Sequence, residues 1–184
     1  GIFMKLVILD RDGVINEDSD DYIKSPEEWQ PIPGSLAAIA RLHRAGWRVI
    51  VATNQSGVAR GLFSFDTLIR IHEKMYRAVN NAGGQIDAVF FCPHVPDDNC
   101  QCRKPRPGLL LDIASRLQID LSGVPAIGDS LRDMQAARAA GATPLLVSTG
   151  KGTATLGHPG LDPAVPVFRD LAGAVDALLT PDTG

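Results

Sequence analysis

The sequence predicts an α/β fold: a doubly wound, mainly parallel sheet with helices on both faces. Three observations carry that expectation. Short apolar runs recur at 6–9, 49–52, 88–91, 125–127 and 145–147, too continuous for strands with one wet face, so they read as strands buried on both sides. Amphipathic segments of helical length alternate with them. Glycines stand where those segments stop, at Gly46, Gly83 and Gly141.

Taken in order, the first run is Leu6 to Leu9, which leads straight into Asp10. Residues 16–34, NEDSDDYIKSPEEWQPIPG, are long, polar and proline-bearing where a strand-to-helix connection normally takes a few residues. They predict a functional loop or small flap, a minimal cap, with Tyr22 and Trp29 as its anchors or, alternatively, as rings that stack on a ligand. Ser35 to Ala45 is the first helix and Val49 to Ala52 the second strand, followed by Thr53. Ser64 to Ala82 is the second helix, and Ala88 to Phe91 the third strand. Residues 92–108 break the rhythm. Pro107 to Leu117, Pro125 to Ile127, Leu131 to Ala140 and Leu145 to Val147 continue it, and Asp170 is placed to cap a last helix through Leu179. No repeat or linker divides the chain, so residues 1–184 are expected to form one domain, long enough to bury roughly 70 % of its unfolded surface. Gly1, Ile2 and Phe3 precede Met4 and read as an expression remnant.

A net charge of -3 and a charged content of 21 % describe an ordinary globular protein without the positive excess that tracks nucleic acid or an anionic membrane. Any anion must be held by a local cluster. The longest early apolar stretch is far too short for a signal-peptide core or a membrane span, so the cytoplasm is the expected compartment. Three cysteines cannot all pair, and a reducing cytosol disfavours disulfides, which leaves a metal site or free thiols.

Ligands of an open parallel sheet bind beyond the carboxyl ends of its strands, where this chain places Asp10, Thr53 and Asp129. LVILDRDGV sets Asp10 and Asp12 two apart, so that an extended backbone aims both carboxylates to one side. Alone, the pair is either a solvated acidic turn or a Mg2+ site that admits a phosphate. IGDSLRDM adds Asp129, with Asp133 four residues on. Asp133 either caps the helix that starts there or supports a metal from behind its ligands.

CPHVPDDNCQCRKPRPG, residues 92–108, holds every cysteine of the chain. Cys92, His94, Cys100 and Cys102 make four ligands with no position left for water, the pattern of structural zinc; three free thiols are the alternative. Asp97 and Asp98 would be poorer ligands. Zinc here would rigidify a loop too polar to pack and fix Arg103 and Lys104 just after the last ligand. His43 and His72, in helical patterns, and His158, in a Gly/Pro-rich loop, read as surface or half-buried residues. STGKGT, 148–153, lacks the upstream glycine of a phosphate-binding P-loop.

Together, Asp10-x-Asp12, Thr53, Lys104 and Asp129 resemble, in this order, the four motifs of the haloacid dehalogenase superfamily of phosphatases, over nearly the whole chain. The resemblance implies that superfamily's Rossmann-like fold. It also implies that Asp10 attacks phosphorus, that Asp12 protonates the leaving oxygen and later deprotonates water, and that Thr53 and Lys104 hold the phosphoryl oxygens. Mg2+ would be bound by Asp10, the Asp12 carbonyl and Asp129. Within the superfamily, a zinc loop joined to the lysine motif is similar to the group that contains heptose-bisphosphate and histidinol phosphatases. TNQSGVARG and CRKPRPG resemble the heptose branch, which supplies precursors of lipopolysaccharide or glycoprotein. That likeness implies a small sugar bisphosphate as partner, no nucleic acid or membrane, and a monomer. It implies substrate contacts from Asp18, Ser19, Asp20 and Asp21, from Thr53, Asn54, Gln55 and Ser56, and from Arg103 and Lys104. Ser130 departs from the lysine of many relatives, which leaves the preferred anomer open, with Arg60 or Arg106 as the expected replacement. Histidinol phosphatase, polynucleotide 3'-phosphatase and a non-catalytic zinc and phosphate-binding module are the alternatives. The acidic balance speaks against the second, and a nucleophile beside an acid against the third.

Overall fold

The structure is a computed structural model and describes residues 5–181, so the three residues read as an expression remnant lie outside it. Strands β1 (Leu6–Leu9), β2 (Arg48–Asn54), β3 (Ala88–Cys92), β4 (Pro125–Gly128), β5 (Thr143–Val147) and β6 (Val167–Phe168) form one sheet in the order β3-β2-β1-β4-β5-β6. Each neighbouring pair is parallel. The helices are α1 (Ser35–Arg44), α2 (Phe65–Asn81), α3 (Gly108–Leu117), α4 (Leu131–Ala139), α5 (Gly152–Leu156) and α6 (Leu171–Leu179).

The two-residue period of a strand divides the apolar runs between two cores. Val7, Leu9, Val49 and Val51 face α1, α2 and α6. Leu6, Ile8, Ile50 and Ala52 face the other way, onto α3 and α4. Both faces are thus covered, which is why these runs show no polar alternation.

Several boundaries differ from the expectation. β2 continues to Asn54, so Thr53 lies inside the strand. β6 and α5 are not expected from the sequence: β6 has only two residues, and the sequence of α5, GTATL, carries no apolar stripe. Asp170 does cap the last helix, its carboxylate accepting from the Gly173 amide.

The strand order reverses between β1 and β4, and a crevice opens at the carboxyl ends there. Residues 16–34 form one wall of it. Trp29 is fully buried, and the Lys74 ammonium donates to the carbonyls of Pro26 and Trp29, both at 2.7 Å, 5.8 Å from the Trp29 ring centre. Asn16 bridges main chain to both Asp12 and Pro31, closing the base of the wall. Trp29 is therefore the anchor expected. Tyr22, half-buried with a positive φ of 66°, sits instead at the rim under the Arg60 guanidinium.

Candidate active site

A cleft of about 300 Å³ lies over the β1–β4 crevice, and the predicted site residues line it, apart from Asp21 and the four residues proposed for zinc. Asp21 is exposed, and its carbonyl accepts from Lys24.

At the end of β1 the main chain alternates sides, so Asp10 and Asp12 face the cleft while Arg11 turns inward and is fully buried. Arg11 Nε and Nη2 both reach Asp12 Oδ1, at 2.9 and 2.8 Å, and Asn16 Nδ2 donates to the same oxygen at 2.9 Å. Asp12 Oδ2 meets only Gln55 Nε2, at 3.2 Å. Burial alone would raise the Asp12 carboxyl, but the Arg11 charge and the hydrogen bonds from Asn16, Arg11 and Gln55 outweigh it and hold the group below the ordinary carboxylate range. His72 is buried, not a surface or half-buried residue, because its Nε2 stands 3.1 Å from Arg11 Nη1 in the interior. Burial and the Arg11 charge push its imidazole down to about 3.

Asp10 lies beside Lys104, whose ammonium is 3.4 Å from Asp10 Oδ1, 2.9 Å from Asp133 Oδ1 and 2.6 Å from the Ala52 carbonyl. Asp133 also does what a helix cap does: its Oδ2 accepts from the amides of Asp129 and Ser130, and the Ser130 hydroxyl accepts from the Asp133 amide in return. Gly13 and Gly150, both at positive φ, press directly against Asp129, where an added Cβ would come within 2.0 and 2.3 Å of Oδ2. The 148–153 loop, which lacks the form of a phosphate cradle, serves Asp129 instead: the Lys151 amide donates to its Oδ2 at 2.8 Å, and from the following helix the Thr155 hydroxyl donates to its carbonyl at 2.8 Å.

Carboxylate oxygens of Asp10, Asp129 and Asp133 all lie within 4.8 Å of one another. Burial first, then the neighbouring charge of Asp133, pushes Asp10 up to about 7; burial and the charges of Asp10 and Asp133 push Asp129 up to about 9. Lys104 supplies one positive charge against three carboxylates, two buried and that of Asp10 half-buried. An all-oxygen set with surplus negative charge suits a hard divalent cation.

The rim is cationic. Arg60, Arg103, Arg132 and Lys151 all line the cleft, and the last is paired with Asp18 of the flap. Burial, then the charges of Arg132 and Arg60, holds the Arg103 guanidinium below its ordinary value. Arg132 and Lys151 escape a reading of the sequence, where nothing ties a residue on the first turn of α4 or in the 148–153 loop to this rim. Arg106, one of the two expected replacements for the lysine absent at Ser130, points away: it donates to the Cys100 carbonyl and to Asn99 Oδ1, both at 2.6 Å.

Asn54 joins the two halves of the site. Its amide donates to the Lys104 carbonyl at 3.2 Å and accepts from the Lys104 amide at 3.0 Å, locking the loop after β3 to the end of β2. Gln55 bonds both Asp12 Oδ2 and Thr53 Oγ1, and the Ser56 hydroxyl accepts from Arg60. Cys92, His94, Cys100 and Cys102 converge with their donor atoms within 4.8 Å. A tetrahedral zinc with Zn–S bonds of about 2.3 Å sets its sulfurs roughly 3.7 Å apart. Cys92–Cys100 and Cys100–Cys102 stand at 3.6 and 3.7 Å, while Cys92–Cys102, at 2.7 Å, is tighter. The cluster can thus hold a metal, and Arg103 Nη1 donates to the carbonyl of His94, one of its members, at 3.2 Å.

A family profile described as polynucleotide kinase 3 phosphatase matches residues 5–135, and one described as HAD-hydrolase-like matches residues 101–174. The D-glycero-beta-D-manno-heptose-1,7-bisphosphate 7-phosphatase of Bordetella bronchiseptica is 60 % identical over 96 % of this chain and 98 % of its own length. That of Pseudomonas aeruginosa is 53 % identical over 95 % and 97 %. The crystal structure of the Bordetella bronchiseptica phosphatase, complexed with magnesium and phosphate, superposes with a TM-score of 0.94 over 96 % of this chain and 98 % of that one. The chain is a phosphatase with the haloacid-dehalogenase-like fold, and it belongs to the family of these D-glycero-beta-D-manno-heptose-1,7-bisphosphate 7-phosphatases.

Proposed function

We propose that this chain removes the 7-phosphate of D-glycero-beta-D-manno-heptose 1,7-bisphosphate, as its relatives' names describe for them, and so supplies precursors of nucleotide-activated heptose. The observation that carries this reading is the convergence of Asp10, Asp12, Thr53, Lys104 and Asp129 in one cleft whose open rim gathers Arg60, Arg103 and Arg132. A substrate with a second phosphate would engage those cations through charge-assisted bonds while the first one reacts.

In the proposed reaction a carboxylate oxygen of Asp10 forms a bond to phosphorus as the bond to the sugar oxygen breaks. That oxygen takes a proton from Asp12. Water then attacks the aspartyl phosphate, gives a proton to Asp12, and the Asp10–phosphorus bond breaks to release phosphate. Thr53 and Lys104 face the phosphoryl oxygens, and fixed donors of this kind are typically worth about 3 kcal/mol of barrier each. Asp10, Asp129 and the Asp12 carbonyl would hold Mg2+, with Asp133 steadying the set. The ion, when bound, neutralises charge on the phosphoryl group. Zinc on Cys92, His94, Cys100 and Cys102 would be structural, its work passing to Arg103 through the His94 carbonyl. The chain is read as a single-domain cytoplasmic monomer; no helix among the described residues is long and apolar enough to cross a membrane.

The polynucleotide phosphatase profile favours a second reading, removal of a 3'-phosphate from a nucleic acid. Against it stand the net charge of -3 and the acidic flap residues Asp18 and Asp20 at the cleft. A panel of heptose 1,7-bisphosphate, heptose 7-phosphate, histidinol phosphate and a 3'-phosphorylated oligonucleotide, assayed with Mg2+, decides between them. The bisphosphate is expected to have the highest kcat/KM, with phosphate lost from position 7. Preference for another member of the panel, or inactivity on all with both metals bound, refutes the proposal.

A further inference from the structure

We propose that His72 is a positioning residue for proton transfer: it holds Arg11, which with Asn16 saturates Asp12 Oδ1 and leaves Oδ2 as the oxygen that carries the proton. The inference rests on the function proposed above and names a part of its machinery that the motifs do not contain.

The geometry is a chain from the core to the cleft. His72 lies on α2, buried, its ring 6.4 Å from that of Phe91 on β3. Its Nε2 is 3.1 Å from Arg11 Nη1. A guanidinium has five donors and no acceptor, so Nε2 must present its lone pair and the ring proton must sit on Nδ1. The remaining reach of Arg11, Nε and Nη2, goes to a single oxygen, Asp12 Oδ1. That oxygen accepts hydrogen bonds from Arg11 Nε and Asn16 Nδ2, one for each lone pair, with Nη2 in ionic contact beside them. A proton placed on Oδ1 would have to displace one of them. Oδ2, facing only Gln55 at 3.2 Å, has room for a proton and lies on an aspartate that lines the cleft. Asp12 Oδ2–H therefore gives its proton to the leaving sugar oxygen as the phosphorus–oxygen bond breaks. Oδ2 takes one back from the attacking water in the second step.

Full burial makes Arg11 depend on this contact, since no water can replace it. Without an acceptor at position 72, Nη1 is left unpartnered in the interior, a state that drives the guanidinium to turn toward other acceptors. Asp12 would then lose its fixed rotamer while Asp10, Lys104 and the metal-binding set stay in place.

The test uses the leaving group. A sugar phosphate expels a strongly basic alkoxide and needs the proton; p-nitrophenyl phosphate expels a weakly basic phenolate and does not. His72→Leu and His72→Asn, whose short amide replaces the Nδ1 side of the ring, are expected to lose about 10- to 100-fold in kcat/KM on the bisphosphate, a quantity that ends at release of the leaving group and a loss that is part of the roughly 100- to 10,000-fold a general acid supplies. On p-nitrophenyl phosphate the loss in kcat/KM, which the later attack of water does not enter, should stay within about threefold. His72→Gln, whose Oε1 falls where Nε2 stood, should recover to within about threefold of wild type on both. Equal losses on the two substrates, or no loss in either variant, would overturn the proposal. Should the leucine variant not fold, the asparagine and glutamine pair decides it by the same ratio. Nitrogen-15 spectra of the wild-type protein supply a readout that needs no turnover: His72 should be the Nδ1–H tautomer, and a protonated Nε2 overturns the geometry. Any alkyl phosphate that the wild type hydrolyses serves for the ratio, so failure on heptose bisphosphate alone sinks the substrate assignment and leaves this inference standing.

Discussion

Replacing Lys104 by methionine isolates the charge balance on which the site rests. Lys104 is 5 % exposed, and its ammonium is the shared partner of Asp10 and Asp133. Methionine keeps most of the stem and removes the cation, leaving buried carboxylates without their counter-charge, a change that typically costs about 3–5 kcal/mol. The pH dependence follows from Asp10. Burial and Asp133 already lift it to about 7 against the pull of Lys104, and loss of that pull lifts it further. A carboxylate raised on folding binds protons in the folded state that the unfolded chain releases, so stability rises as pH falls through the window between the ordinary and the raised value. The wild type gains within that window as well, but the variant, titrating higher, gains more between pH 8 and pH 6. Urea denaturation without added divalent cation should give a deficit of about 3–5 kcal/mol at pH 8 that narrows by about 1 kcal/mol at pH 6, since a tenfold change in proton affinity is worth about 1.4 kcal/mol and the wild type already gains about half of what the variant can over these two pH units. Turnover should fall by about two powers of ten with the lost phosphoryl donor. A deficit under about 1 kcal/mol at pH 8, or one that widens on acidification, would show that Lys104 is not the counter-ion of this cluster.

Three further outcomes are expected. Stabilisation by Mg2+, read as a Tm shift, should be larger at pH 8 than at pH 6, because protons on Asp10, raised to about 7, and Asp129, raised to about 9, must leave as the ion binds; a pH-independent shift would place the ion elsewhere. Cys100→Ser should lower zinc content in elemental analysis and raise KM more than it lowers kcat, because Arg103 is held through the His94 carbonyl; unchanged zinc refutes the ligand set. Arg132→Ala should reduce kcat/KM for the bisphosphate about tenfold while sparing a small monophosphate, and equal effects on both would remove Arg132 from recognition of the distal group.

The sequence is most legible where physics forces a local answer. Runs buried on both faces must be continuous, so β1 to β5 stand out. A parallel sheet must react at its carboxyl ends, so Asp10 and Asp129 are expected beside each other, and the bond from the Asp10 amide to the Ile127 carbonyl bears this out. Cys92, His94, Cys100 and Cys102 converge because one short loop contains them all. What stayed hidden depends on contacts between distant segments. His72 has the helical spacing of a core position, and nothing local says that a buried arginine 61 residues away would claim its ring nitrogen. Arg132 is an ordinary solvated helix residue until α4 is docked with its first turn over the cleft. Arg106 is as good a candidate as Arg60 by sequence, yet the turn of the 92–108 loop gives its guanidinium to Cys100 and Asn99.

The way residues 16–34 are fastened bears on how such an enzyme can change. Trp29 is sunk in the core, Lys74 clasps the carbonyls of Pro26 and Trp29, and Asn16 ties the base to Asp12. Asp18 to Tyr22, by contrast, lie partly or fully in solvent at the tip of that support. Structural duty and substrate contact are thereby assigned to different residues of one segment. A change at the tip alters what the cleft admits without unseating the wall, whereas a change at Trp29 or Asn16 would reach the fold or the proton donor first. New substrate preferences in this architecture are therefore open to short replacements at residues 18–22, evolved or engineered, with the chemistry behind them left intact.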